Sequence, residues 1–574
     1  MGSMPQSYEV PNWYHSEIVR PIKVICIGAG ISGLCLAYKM TKILDSFDLT
    51  IYEKNADVGG TWLENRYPGC ACDVPAHIYT FTFDPKPDWS QYYAGSEEIC
   101  EYCRDFYRRH KIDQFTKLSH SVTKAVWNEE ESKWQLEIED LTSSPSTIIK
   151  DDCDVLISGA GFLNKWSWPK IEGIERFSKP KLHSARWDSK LDLKGKTVGL
   201  IGNGSSAIQM VPKLAKEVAK LKVFMRSPTW ISPALGANPG LQYQDDHEHR
   251  RKHEQFTFTE EEKEEFRRNP KAHLEFRRRI EAEFNILVDM FIVGSPTQLA
   301  MHQVMVEQMK GRLGAGHEEL KSKLIPDWAP GCRRITPGDG YLETLVQPNV
   351  ECVFGEIERL SESAVEMADG SHHDLDILAC ATGFDTSFIP PFPIIGRHGV
   401  SMADAWKERP DGYLGIAAPG FPNYFFTTGP QGPLGNGTIL PAIETACEYF
   451  IAVMQKMQEE KIRSVEPKRR ATDQFHEHMS AFMKGTVWAQ PCRSWYKNGT
   501  TDGEPQLWCG SALTYVKTIR NPRYEDFEIE YESSNQWAYL GNGKIQAHFQ
   551  LVDGKPNILG LAPYIRNDDA HWDI

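Results

Sequence analysis

Residues 22–27 (IKVICI) form a short apolar run rich in β-branched residues, followed by a glycine turn and by the helical pattern SGLCLAYKMTKIL. A further apolar run, LTIYEK at 49–54, completes a strand, helix and strand in βαβ order. The same design begins again at residue 197, with strand TVGLI, turn GNGSSA, helix IQMVPKLAKEVAKL and strand KVFMR. No shorter period recurs, so the pattern is a duplicated binding unit and not a solenoid. It predicts an α/β fold of two doubly wound Rossmann-like dinucleotide-binding domains.

Between about 235 and 330 the texture changes to charged helix formers, as in HEHRRKHEQF and TEEEKEEFRRNPKAHLEFRRRIEAEF, ending at the apolar ILVDMFIVG. This predicts a helical insertion, 235–330, within the second unit. Its alternating charge suits a solvated helix surface better than a partner-binding face. Strand patterns return in VECVF, AVEMAD and DLDILACATGF, and a helix is predicted over 440–460, before a mixed tail rich in Trp and Tyr. The expected division is a first domain from 1–165 and 375–574, and a second from 166–374 that carries the insertion.

Composition narrows the partners. With 574 residues, 41% of them hydrophobic, the chain is long enough for two or three globular domains. Its formal net charge of −14 repels nucleic acid and anionic membranes, so neither is an expected partner. No apolar run reaches the length of a membrane span, and MGSMPQSYEV lacks the charged start and apolar stretch of a secretory leader. A cytoplasmic protein is expected. Met1-Gly2 suggests myristoylation, but Gln6 stands where that motif needs Ser or Thr, and an expression scar is the better reading. Thirteen cysteines at irregular spacing do not form a disulfide framework, and Cys100-Glu-Tyr-Cys103, in a helical stretch without a second pair, does not make a zinc site. No metal site is expected.

The chemistry starts at the two turns. Gly28 permits the tight bend, Gly30 admits a pyrophosphate close to the backbone, and Gly33 lets helix and strand pack, while N–H groups at the helix start hold the anion. Glu53, twenty residues after Gly33, is placed for a free ribose hydroxyl, which suits FAD. The second turn repeats this with Gly202, Gly204, Ser205, Ser206 and Ala207, but its following strand ends in Arg226-Ser227. An arginine there suits a 2′-phosphate, so this site should take NADPH. Two dinucleotides in one chain imply hydride transfer from nicotinamide to flavin. Neither Cys70/Cys72 nor Cys100/Cys103 has the context of a disulfide reductase, which leaves oxygen as the acceptor.

GGTWLENRYPGCACD, Gly59 to Asp73, matches the pattern [A/G]-G-x-W-x4-[F/Y]-P-G-x3-D, and Phe177 to Asp188 is similar to F-x-G-x3-H-x3-W-[P/D], with Lys179 in place of the glycine. Both resemble type I Baeyer–Villiger monooxygenases, and Trp187 favours that branch over the related N-hydroxylating enzymes. The resemblance runs over roughly residues 20–540. It implies an active-site role for Arg334 in PGCRRI, oriented by Asp73. It also implies cofactor binding by Gly60, Thr61, Trp62, Asp73, Tyr79, Arg333 and, in ATGFD, Thr382 and Gly383, and by Trp495 near NADP. VFMRSPTWISP, YLGIAAPGFPNYFFTTGP and NQWAYLGNG look like fungal natural-product members, implying a bulky polycyclic or polyketide-like ketone. In such a reaction reduced flavin and O2 form a C4a-peroxide that must stay deprotonated to attack the carbonyl, and carbon migration gives an ester or lactone. Both stages carry negative charge, which an arginine that never loses its proton can stabilise.

Other readings stay open at this point. Heteroatom oxygenation at N or S is the alternative activity, and ring contraction or carbonate formation could use the same oxidant. A flavin-binding protein without catalysis is the alternative of another class. His183 reads as a structural histidine of the loop linking the domains rather than an acid or base. Cys70 and Cys72 read as small buried hydrophobes. The aromatics of 488–515 fit either a pocket wall or core, and the tail after Gly543 has no assigned role.

Overall fold

A computed structural model of the protein describes residues 8–15, 19–233 and 255–568. The opening MGSMPQS and most of HEHRRKHEQF lie outside the described residues. The first βαβ unit contributes to a five-stranded parallel sheet in the order Tyr424–Phe426, Val155–Ser158, Ile22–Ile27, Phe47–Glu53, Thr116–Leu118. IKVICI is continuously apolar because both faces of this sheet are covered. Val24 and Cys26 join the core under helices Ile31–Ile43 and Leu440–Glu459. Ile25 and Ile27 point the other way, into a cluster with Trp134 and Leu136 of an antiparallel layer. That layer pairs His120–Asn128, Lys133–Asp140 and Thr147–Cys153.

The second unit repeats the plan. Its five parallel strands run Val350–Phe354, Lys220–Met225, Thr197–Ile201, Ile377–Cys380, Lys181–His183. Leu200 and Val223 face helix Ser205–Leu214, whereas Ile201 and Phe224 face a small antiparallel sheet, Ile357–Leu360, Ala364–Met367 and His372–Asp374. Two details depart from the pattern in the sequence. The helix ends at Leu214, with Pro212 in its last turn, because Lys220 is already paired with Thr197. Strand Ile377–Cys380 sits between two strands of the second sheet, so this sheet extends past residue 374, where the sequence pattern divides the chain.

The insertion is helical over its described part, with helices Glu260–Arg268, Pro270–Ile286, Pro296–Leu313 and Glu318–Leu324. Its stops and starts are written locally. Thr259 and Glu262 form a reciprocal cap, and Asn269 and Ser295 cap helices that open with proline. Helix Pro270–Ile286 docks on the first unit: Arg277, 9% exposed, donates to the carbonyls of His77, Phe81 and Thr82 at 3.0–3.4 Å. His273 adds a 2.8 Å bond to His77. Among the described residues no helix is long and apolar enough to cross a membrane.

Candidate active site

Both glycine turns have the geometry the sequence requires. Gly28 has φ +102° and donates to the Tyr52 carbonyl, and a Cβ on Gly33 would stand 2.1 Å from the Gly28 oxygen. Gly202 has φ +120° and donates to the Phe224 carbonyl, while Ala207 is fully buried beneath its helix. Helices Ile31–Ile43 and Ser205–Leu214 begin at Gly30 and Gly204, with no side-chain cap and no acid in the first turn. Their first N–H groups are therefore left for an anion. Gly60 lies against Gly30, where a Cβ on Gly60 would come within 3.0 Å of the Gly30 Cα, and Thr61 and Trp62 open the short helix that follows. Trp62 meets Tyr79 edge to face, and its indole donates to the Tyr79 hydroxyl at 3.3 Å. Glu53, 4% exposed, reaches back to the turn, accepting from the Ala29 and Asn55 amides at 2.8 Å. These features fit a dinucleotide at each turn.

The long motif from Gly59 to Asp73 joins the two units. Tyr67 donates to Gln209 on the second unit's helix at 2.8 Å, and Gln209 donates to the Ala71 carbonyl at 2.9 Å. Gly69 has φ +81°, and a Cβ there would stand 2.5 Å from the Gln209 carbonyl oxygen. This docking brings Asp73 to Arg334, which lies 261 residues later in the chain. Arg334 donates through Nε and an Nη to the two Asp73 oxygens at 2.5 and 2.8 Å, and through its other Nη to the Leu434 carbonyl at 3.4 Å. Burial opposes the Arg334 charge, but the Asp73 carboxylate outweighs it and holds the guanidinium above its ordinary pKa. About 35% of the Arg334 side chain stays accessible beside a cavity open to solvent. Phe284, Leu287, Met290 and Phe291 of the insertion wall that cavity with Tyr93, Tyr496, Asn436 and Ser232, whose buried hydroxyl has no partner among the described residues.

The residues at the end of the second unit's strands also gather. Arg333 donates to the Ser227 hydroxyl at 3.0 Å and the Pro228 carbonyl at 3.2 Å, and its guanidinium lies over Trp328. Arg226 is exposed at the end of its strand. Trp495 packs against Phe162 and Tyr496. Thr382 and Gly383 follow strand Ile377–Cys380 in the second sheet, and the Thr382 hydroxyl lies 3.2 Å from His183 Nε2. His183 is 1% exposed, accepts from the Ala185 amide and stacks on Trp166, which is a structural setting. Lys179 has an exposed side chain and is not among the positive-φ residues, so the motif's glycine is not needed at this position.

The sequence reading missed two features and left a third undecided. Cys332 and Cys492 form a disulfide 160 residues apart, a pairing that spacing cannot reveal among thirteen cysteines. Tyr496 lines the cavity from a core cluster it shares with Trp488, whereas Trp488, Trp508 and Tyr515 do not line it. The apolar wall lies near the middle of the insertion, at Phe284 and in the ILVDMF stretch just after it, whose hydrophobicity was the available signal. Cys70, Cys72, Cys100 and Cys103 are buried and free.

Burial also sets a pH limit. His183 and His273 are each pushed down to about 4, by burial and, for His273, then by Arg277; His77 is held well below its ordinary 6.5 by burial, then by His273 and Arg277. The folded protein keeps these rings neutral while the unfolded chain protonates them below about 6.5. Their contribution is therefore complete above that pH and is lost as pH falls towards 4, by at most about 1.4 kcal/mol per pH unit for each ring. Urea titrations of the FAD-loaded protein should show stability falling across this window, with a shallower slope in H183Q. An unchanged slope in that variant would contradict the assignment.

A family profile described as an NAD(P)-binding Rossmann-like domain matches residues 26–95. The FAD-binding monooxygenase tazF of Aspergillus terreus is 40% identical over 541 residues, covering 92% of each chain. A Baeyer–Villiger monooxygenase of Pseudomonas aeruginosa is 30% identical over 493 residues, 86% of this chain and 88% of that one. Among solved structures, oxidized steroid monooxygenase bound to NADP superimposes with a TM-score of 0.73 at 25% identity, covering 89% of this chain and 100% of that one. Closed cyclohexanone monooxygenase shares the fold, with a TM-score of 0.75 at 23% identity over 89% and 99% of the two chains. Fold and site thus define a flavin monooxygenase whose cofactors are FAD and NADPH. The chain belongs to the FAD-binding monooxygenases of the Baeyer–Villiger type.

Proposed function

We propose that the enzyme inserts one oxygen atom of O2 beside the carbonyl of a bulky polycyclic or polyketide-like ketone, giving an ester or lactone. The observation that carries this reading is the Arg334–Asp73 pair beside a largely apolar cavity. FAD, reduced by NADPH, supplies the oxygen-activating redox chemistry when bound. Arg334 keeps its proton and directs its free N–H groups at negative charge that builds on the substrate's carbonyl oxygen. Asp73 fixes the plane of the guanidinium through two parallel bonds. Among the described residues the cavity's charged groups are two arginines and one aspartate, a surplus of positive charge that favours an anionic reacting centre. Phe284, Leu287, Met290 and Phe291 exclude water and hold an apolar ring system, and Ser232 offers it a hydroxyl.

In the same reading, FAD is held by the first turn, Gly28, Gly30 and Gly33, with Glu53 on its ribose and Gly60, Thr61, Trp62, Asp73 and Tyr79 beside it. NADPH is held by Gly202, Gly204, Ser205, Ser206 and Ala207, with Arg226, Ser227 and Arg333 at its 2′-phosphate, Trp495 nearby, and Thr382 and Gly383 closing the strand end between the units. The first domain is then 1–165 plus the chain after Gly383, and the second is 166–383. Incubation of polycyclic ketones and an aryl sulfide with NADPH under 18O2 tests the activity. The expected result is an ester or lactone carrying one 18O. A sulfoxide formed without any ester would replace this reading with heteroatom oxygenation.

A further inference from the structure

Each half of the disulfide is followed directly by an arginine, Cys332 by Arg333 and Cys492 by Arg493. The two cysteine Cα atoms are 6.4 Å apart, so the bond holds the backbones that carry these arginines side by side, although 160 residues separate them in the chain. Both sulfurs are buried, whereas the Arg493 side chain is exposed. Among the described residues, the cationic corner they form has no counter-charge paired to it. Arg333 bonds to a hydroxyl and a carbonyl, and among the described residues it pairs with no carboxylate and its buried Nε has no partner. Burial, and then repulsion from Arg226 and Arg493, pushes it down to about 10. Three arginines on two loops and one strand end, with no acid among them, are a costly arrangement for a protein alone and a favourable one for a dianion.

We propose that Arg493, tethered beside Arg333 by the Cys332–Cys492 bond, completes a three-arginine seat for the NADPH 2′-phosphate. The inference rests on the reading that Arg226, Ser227 and Arg333 face that phosphate. The disulfide acts as a positioning element and Arg493 as a binding residue. Gln490 supplies a second tie between the same loops, since its Oε1 accepts from the Ala329 amide at 2.8 Å. Loss of the disulfide therefore leaves the loops joined but the arginines less fixed.

Calorimetric titration of NADP+ and NAD+ into the FAD-loaded enzyme tests this without turnover. R493A should bind NADP+ about tenfold more weakly, the scale of one charge-assisted contact, with NAD+ affinity and flavin content unchanged. R493K should recover part of the loss. The C332S/C492S variant should show a smaller loss confined to NADP+, with its flavin absorbance reporting that it has folded. If R333A weakens NADP+ but R493A does not, the third arginine is excluded while the phosphate site stands. If the parent enzyme does not distinguish NADP+ from NAD+, the phosphate site itself is wrong and this proposal falls with it.

Discussion

R334A is expected to lose ester formation by on the order of 10²- to 10³-fold or more while retaining FAD, because it removes the fixed cation beside the reacting carbonyl. The turn to which we assign FAD lies elsewhere in the chain, at Gly28–Gly33, so cofactor content should not change. R334K separates charge from geometry. A lysine keeps the positive charge but cannot span both Asp73 oxygens, so its activity should lie between those of the parent and R334A. D73N should fall in the same intermediate range, since it leaves the guanidinium in place but removes the carboxylate that orients it and sustains its charge. Product formation and NADPH consumption measured together make the test: in R334A, NADPH consumption should continue without matching ester. Ester formation at the parent rate in R334A would remove Arg334 from the chemistry.

The second large effect separates the two turns. In G33A the new methyl would stand 2.1 Å from the Gly28 carbonyl oxygen, a distance no packing shift of a side chain can relieve because the obstacle is backbone. The turn must open, and FAD affinity should fall by about 10²-fold or more, leaving largely colourless protein. In G202A the added Cβ would approach the Ala381 oxygen to 2.5 Å at a φ of +120° that alanine rarely adopts. This variant should purify yellow but resist anaerobic reduction by NADPH. Flavin absorbance and stopped-flow reduction report the two outcomes independently. The reverse result, flavin lost from G202A and retained in G33A, would exchange the cofactors between the turns.

The parts of the fold legible in the sequence were those governed by short-range rules. IKVICI and TVGLI are strands with the bounds their apolar runs give, because strands buried on both faces need unbroken hydrophobicity. The glycine turns were legible because backbone positions with positive φ accept few other residues. Asp73 and Arg334 were found through resemblance, since no local pattern announces a contact made across 261 residues. The disulfide was invisible for the same reason. Strand Ile377–Cys380 lies just past the expected division at 374 yet pairs in the second sheet, in the register Ile377↔Val198, because a short buried strand carries no label of its neighbours. Tyr496 was hidden among aromatics of identical character, where orientation and not composition separates a pocket wall from core.

Arg277 and His273 bind the insertion to the segment 77–82, a few residues after Asp73, although by chain order the insertion belongs to the other unit. The cavity's apolar wall and the carboxylate that aims the guanidinium are therefore one mechanical part. For anyone building chimeras between relatives, the transplantable cassette is consequently discontinuous. A graft of the insertion alone would leave Arg277 facing foreign carbonyls, whereas 73–93 moved together with 255–291 carries its own anchor.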